Sequence, residues 1–380
     1  MLQVGIERAP LPPLSTEPAS PARGLHARPP GAERRTRRRR DPYLDNAKYL
    51  TIVLVAVGHV WAPLAADSRV TSALYYLLYS FHMPAFVIVS GFLSRNFEGS
   101  PRQVRRLITG LLVPYAAFQT LQTFFARWTG AAPDRELSFQ EPGFALWFLL
   151  ALCLWRLSAP LWQLLRHPLP VSVVIAVAAS VTPTIDDDLG LMRVAQFLPF
   201  FVLGLQLRPE HFRFVRRRAV RLLAVPVAAA ALLVSYWAVP LISGAPFLHD
   251  KNAQELGLPA WLGAVMTLAS YGCALVMTAC FLAWVPERHM WFTALGGGTL
   301  YAYLLHVFPV QLFQQFGRQG ADLAGHPVGR VVVTVVAACG MTALCTSPVR
   351  RALRFAVEPR MSWFFRREAD GPVDGTRRTP

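Results

Sequence analysis

Charge is scarce in this chain, and most of it is of one sign. Only 16% of the 380 residues are Asp, Glu, Lys or Arg, against 53% hydrophobic, a balance that argues against an ordinary soluble domain and for a membrane class. Acidic residues number 22 against 38 basic ones, and none lies in the middle of an apolar run, which counts against an ion-coupled transporter. Cysteine is confined to Cys153, Cys273, Cys280, Cys339 and Cys345, all within or at the ends of apolar runs. Neither CxxC nor Cys-His spacing occurs, so metal, redox and disulfide roles find no support. No internal repeat of the transporter kind is present. A soluble basic domain with interleaved aromatics is also missing, so the net charge of +16 calls for no nucleic-acid partner.

What is there is a series of long, nearly uncharged runs at about 44–64, 73–94, 107–126, 144–164, 169–186, 191–207, 220–243, 261–285, 295–316 and 329–348. A helix needs roughly 20 apolar residues to cross a hydrocarbon core, and backbone in lipid must bond internally, as helices or closed barrels. These runs are too long and too continuously apolar for barrel strands. The expectation is an all-α, polytopic bundle of about ten spanning helices. Its membrane domain is 44–349, between a Pro-rich, basic, disordered tail at 1–43 and a basic tail at 350–380.

Orientation follows from where arginine collects. With the N-terminus inside, the inner segments hold Arg34 to Arg40 (interrupted by Thr36), Arg95 to Arg106, Arg166, Arg208 to Arg221, Arg288 and the cluster from Arg350. The outer loops are poorer in base and more acidic, with Arg69 alone in the first, Asp134, Glu136 and Glu141 in the second and the run Asp186 to Asp188 in the third; the fourth holds Lys251 and the fifth Arg318 and Arg330. The chain is thus expected in the plasma membrane, multi-pass, with both termini cytoplasmic and the lipid bilayer as its surroundings.

Ionisable side chains near mid-membrane cost roughly 2.5–3.5 kcal/mol on insertion scales, so Lys48, His59, His82, Arg193 and His306 each need a reason. Lys48 and His59 are eleven residues apart, three turns plus about 20°, so they share one face of the first helix with Asp45, Ile52 and Val55. The axial gap of about 16 Å carries that stripe from the interface to mid-membrane. This suits an acyl-CoA, whose anionic nucleotide end and thioester are separated by an arm of similar length. Lys48 would hold the phosphates, and a neutral His59 would take a proton from an attacking hydroxyl. The spacing equally accommodates a His59 that bonds a neighbouring helix and a snorkelling Lys48.

In the second run Pro84 should kink the helix and free a carbonyl near His82, while Ser90-Gly91 permits close helix approach. Arg105 and Arg106 lie on the Lys48 side, where paired guanidinium groups can grip phosphate or simply anchor topology. Trp147 stands near the outer interface, where an aromatic-belt role is the default. Gly296-Gly297-Gly298 precedes Thr299 to His306, follows no strand, and reads as a tight helix start rather than a phosphate cradle. His306 is deep enough to require a partner.

Five stretches in order carry a resemblance: Asp45-Asn46-Ala47-Lys48 with ten residues before His59; Phe81-x-x-Pro84-x-Phe86 into Ser90-Gly91-Phe92; Arg105-Arg106-Leu107 leading to Pro114-Tyr115; Leu146-Trp147-Phe148-Leu149; and Tyr303-Leu304-Leu305-His306. Together, over residues 41 to about 350, they resemble the acyltransferase-3 family of integral membrane O-acyltransferases, especially its fucose 4-O-acetylase-like branch. The resemblance implies a ten-helix enzyme with no bound cofactor. Such an enzyme moves acetyl or another short acyl group from acyl-CoA, its donor substrate, to a hydroxyl of a carbohydrate or glycoside. His59 would be catalytic, with Lys48 beside it where many relatives have arginine, a point charge in place of a fork. Arg105 and Arg106 would bind acyl-CoA; Asp45, Asn46, His82, Ser90, Trp147 and His306 would line the substrate cavity. A transporter or flippase for a lipid-linked sugar is the alternative from another class.

Overall fold

The computed structural model describes residues 41–184, 188–241, 244–316, 326–359, 361 and 363–365. Most of the expected N-terminal tail (1–40), Asp186, Asp187, Arg318 and the end of the basic C-terminal tail (366–380) lie outside the described residues. Among those described, all regular structure is helical. The first half of the chain forms α1 (Pro42–Trp61), α2 (Arg69–Leu93), α3 (Pro101–Leu107), α4 (Val113–Trp128), α5 (Trp147–Leu164), α6 (Pro168–Val181), α7 (Leu191–Gln206) and α8 (Pro209–Val215). The second half forms α9 (Arg218–Ala238), α10 (Ala260–Trp284), α11 (Thr299–Leu305), α12 (Val307–Phe316), α13 (Pro327–Leu344), α14 (Ser347–Ala352) and α15 (Arg354–Val357).

Seven of these segments are long and apolar enough to cross a membrane: Pro42–Leu64, Arg69–Leu93, Trp147–Leu164, Asp188–Gln206, Arg218–Ala238, Ala260–Trp284 and Pro327–Leu344. The other three expected spans are each broken or short. Between α3 and α4 the helix widens to a π turn at Ile108–Leu112, just ahead of Pro114, which has no N–H for the usual bond. α6 is 14 residues long. α11 and α12 meet at His306, where Pro309 withdraws the N–H that would bond the Leu305 carbonyl. At the C-terminal end the expected tail begins inside α14, and α15 buries Val357 completely.

Caps explain where the first two helices begin. Asp41 accepts a hydrogen bond from the Tyr43 N–H at 3.0 Å with Pro42 in the first turn, and Ser68 accepts from Thr71 N–H, so α1 and α2 start ahead of their apolar runs. The outer faces are apolar. Leu222, Leu223, Leu233 and Val234 on α9 and Val328, Val331, Val335 and Val336 on α13 are all exposed, an arrangement stable only against lipid. Exposed Trp237 and Trp261 flank the α9–α10 connection, and exposed Trp284 and Trp291 mark the other end of α10, as interfacial aromatic belts do.

α2 runs through the middle, packed by α1, α7, α9 and α10. It passes through Pro84 as one helix, and His82 Nδ1 bonds the Leu78 carbonyl at 2.8 Å rather than the carbonyl that Pro84 frees. Its tightest crossing is with α7, at Gly91 and Gly204. A Cβ on Gly91 would overlap the Phe201 carbonyl oxygen, and one on Gly204 would overlap that of Ile88. Backbone-on-backbone contact of this kind needs glycine on both sides. Substituting Gly204→Ala should therefore destabilise the bundle by about 1–3 kcal/mol, read as a lower unfolding temperature in detergent; an unchanged temperature would show that the crossing gives way without cost.

The first part of the 244–259 connection folds back against α7 and α10, burying Gly244, His249, Asn252 and Ala253. His249 is buried against Phe197, Phe200 and Tyr271. Its Nδ1 is 3.0 Å from Gln196 Oε1, while Gln196 Nε2 donates to the Lys251 carbonyl, so His249 is the donor. Burial pushes its imidazole from the ordinary 6.5 down to about 4. The unfolded chain then binds the extra proton between those two values, so this contribution to stability is complete above pH 6.5 and is lost as pH falls toward 4. A wild-type unfolding temperature that drops across this window, with a smaller drop in His249→Gln, is the expected result.

Candidate functional site

The stripe on α1 opens onto two cavities. At the start of the helix Lys48 Nζ pairs with Asp45 at 2.7 Å and borders a cavity of about 280 Å³ shared with Ser90, Arg106, Arg156, Thr299 and Tyr303. Three cationic side chains thus face one space, a setting for phosphate or another multivalent anion. Arg156 was not among the expected residues. It is the one charge in α5, and its Nε donates to Ser94 Oγ, the residue that caps the end of α2, at 3.1 Å, which holds the guanidinium at the cavity. A lone arginine in an apolar span was the signal for it.

Three turns along, His59 borders a second cavity of about 380 Å³ with Tyr79, His82, Trp147, Arg193 and Tyr303. Arg193 pairs with Asp250 at 2.9 Å and lies over the Trp147 ring, 5.6 Å from its centroid. Trp147 stacks on Phe197 at 5.4 Å. The Asp250 partner and the wall residues Phe247 and Leu248 come from the folded-back 244–259 connection, which apolar periodicity could not place. The cavity therefore combines aromatic walls with the Arg193 guanidinium and the hydroxyl and imidazole groups of Tyr79 and His82, offering apolar surface and hydrogen-bonding groups side by side.

The loop before α5 brings the remaining wall. Gln119 of α4 donates to the Ser138 and Glu141 carbonyls and accepts from the Gly143 N–H, and Tyr115 donates to the Phe139 carbonyl. Held this way, the loop turns at Phe144, a non-glycine residue at φ +41°, and places its ring 4.6 Å from that of His59. Left-handed backbone at a bulky residue is strained, and such strain concentrates where a side chain is being aimed.

Tyr303 belongs to both linings. Its hydroxyl donates to the Ala145 carbonyl, and its ring meets Phe148 edge-on at 5.9 Å.

Of the residues expected at the site, the structure brings Lys48, Arg106 and Ser90 to one cavity and His59, His82 and Trp147 to the other. Asp45 pairs with Lys48 and borders neither. Asn46 is fully buried and structural. Its Nδ2 donates to the Pro286 and Arg288 carbonyls and its Oδ1 accepts from Thr293, tying α1 to the connection after α10. Gly296 allows this approach, since a Cβ there would overlap the Asp45 backbone. Arg105 points elsewhere, over the Phe365 ring at 4.8 Å. His306 is buried and lines neither cavity; its ring lies 5.5 Å from that of His59. Among the described residues no group of three or more His, Cys, Asp or Glu is placed to hold a metal ion.

No curated protein and no solved structure matches the chain. A sequence model of a known family, described as an acyltransferase domain, matches residues 41–350, which takes in α1 to α13 and both cavities. With that match covering most of its length, the chain belongs to the acyltransferase-3 family and is a membrane acyltransferase.

Proposed function

We propose that this protein is an O-acyltransferase of the plasma membrane. It moves acetyl or another short acyl group from acyl-CoA to a hydroxyl of a carbohydrate or glycosylated small molecule, in the manner of the fucose 4-O-acetylase-like branch of the family. The observation that carries the reading is the pairing of a cationic cavity around Lys48, Arg106 and Arg156 with an aromatic, polar cavity around His59, Tyr303 lining both. The donor's phosphates sit among the cations, and its pantetheine arm passes Tyr303 to bring the thioester to His59. An acceptor hydroxyl in the second cavity attacks the thioester carbonyl while His59 takes its proton. The C–S bond then breaks, and the departing thiolate takes the proton back from the imidazolium.

In this reading the interrupted helix over α3 and α4, the short α6 and the bent α11–α12 pair join the seven long helices to give ten crossings. Both termini then lie in the cytoplasm, where the arginine-rich connections collect. The donor needs no bound cofactor beside it, because the thioester is already activated.

Transfer of radiolabelled acetyl from acetyl-CoA, in membranes supplied with a panel of glycosides, tests the reaction. His59→Ala should lose at least about 100-fold in kcat while the protein still accumulates and folds; full activity in that variant would overturn the role of His59. Absence of transfer by the wild type across a wide panel would overturn the enzyme reading in favour of carriage of a lipid-linked sugar. Lys48→Gln and Arg106→Gln should each raise the KM for acetyl-CoA about tenfold, as loss of one charge-assisted contact would, with kcat less affected. Donor KM values equal to wild type would remove the phosphate site from this cavity.

A further inference from the structure

His306 has a feature the reaction above does not use. Its ring folds back at the break between α11 and α12, with Nδ1 2.6 Å from the Tyr303 carbonyl oxygen and 3.2 Å from that of Ala302. A carbonyl only accepts, so Nδ1 carries the hydrogen and Nε2 keeps its lone pair. That Nε2 is buried without a hydrogen-bond partner, in a side chain only 2% exposed. A buried acceptor with nothing to accept is unfavourable and calls for an explanation. Two aromatic side chains touch the His306 ring, Tyr303 at 5.8 Å and His59 at 5.5 Å. The Tyr303 hydroxyl is committed to Ala145. Of these two rings His59 is the one with no hydrogen-bond partner among the described residues, and the same ring borders the cavity.

We propose that His306 is the positioning residue for His59: its Nε2 lone pair accepts the N–H of the His59 nitrogen turned away from the cavity. The inference rests on His59 acting as the base. The bond fixes which His59 nitrogen is free to take the hydroxyl proton. It strengthens when His59 becomes an imidazolium, because the donor is then charged. His306 stays neutral throughout and receives no proton, so when His59 returns its proton to the departing thiolate both rings are as they began. A carboxylate does this for the histidine of a serine-protease triad. Here a neutral imidazole does it without placing a second charge in hydrocarbon, where ionised groups are costly.

The test compares His306→Phe, which keeps a ring and loses the acceptor, with His306→Gln, which keeps an acceptor oxygen. Both are measured at matched protein and unfolding temperature in liposomes. His306→Phe should lower kcat by about 10- to 100-fold with both KM values little changed. It should also move the acidic limb of the kcat/KM profile to lower pH, since the His59 imidazolium loses its partner. His306→Gln should recover part of the rate and of the shift. Wild-type kcat and profile in His306→Phe would overturn the proposal, as would equal loss in both folded variants with an unmoved limb. A measurement free of substitution uses the wild-type protein labelled with ¹⁵N-histidine: one through-hydrogen-bond nitrogen–nitrogen coupling between two imidazoles is expected among the nine histidines, and its absence across the pH range of activity would also overturn it. His59→Ala separates the two failures. Full activity there removes the base itself, whereas an inactive His59→Ala beside a wild-type-like His306→Phe removes only the positioning role.

Discussion

Hydrocarbon offers no hydrogen-bond partners, so each polar side chain among these helices has to be satisfied by the protein itself. Most of the arrangement follows from how that is done. Asn46 is satisfied by the connection after α10, which fixes the rotation of α1 about its axis. Tyr43 and Tyr49 on the same helix reach the Leu282 carbonyl and Thr342. With those contacts made, the stripe holding Lys48 and His59 can face only inward, toward α2, α5 and α11. Arg156 and Arg193 are held by Ser94 and Asp250, so their charges are spread into hydrogen bonds yet stay at the cavity walls.

Packing supplies the second part. Helices in lipid gain nothing by hiding apolar surface from one another, and close approach through small residues takes the place of that force. Gly91 against Gly204 draws α2 and α7 together, which brings Tyr79 and His82 of α2 and Arg193 of α7 to the same cavity. Prolines act in the opposite sense. Pro114 and Pro309 each interrupt a helix by removing a backbone donor, and the second interruption frees the ring of His306 to turn toward its own carbonyls and toward His59.

The connections at the His59 end close the site. Residues 138–146, held by Tyr115 and Gln119, deliver Phe144, and 244–259, held by His249 and Gln196, delivers Phe247 and Asp250. The cavity at Lys48 is thus lined by helices alone, whereas the cavity at His59 has a wall of loop. Recognition tends to reside on such loops, because they can vary while the helices keep the reacting groups in place.

Run length and apolarity alone make this chain helical and place it in a membrane, since they allow no other backbone arrangement in lipid. Helical periodicity also placed Lys48 and His59 on one face, because that depends on nothing beyond the 100° step between residues. It could not see which polar residues would be used up in holding helices together. Asn46 and Arg105 read as site residues, yet their partners, Pro286, Arg288 and Phe365, are far away in the chain. Arg156, Asp250 and Tyr303 gained their positions from contacts between α5, the 244–259 connection and α11 that carry no local signature. The same holds for His306, whose neighbour His59 is known only from the ring contact. Tertiary structure decided these positions because a side chain's partner in a bundle is set by which helices touch, and local sequence does not encode that.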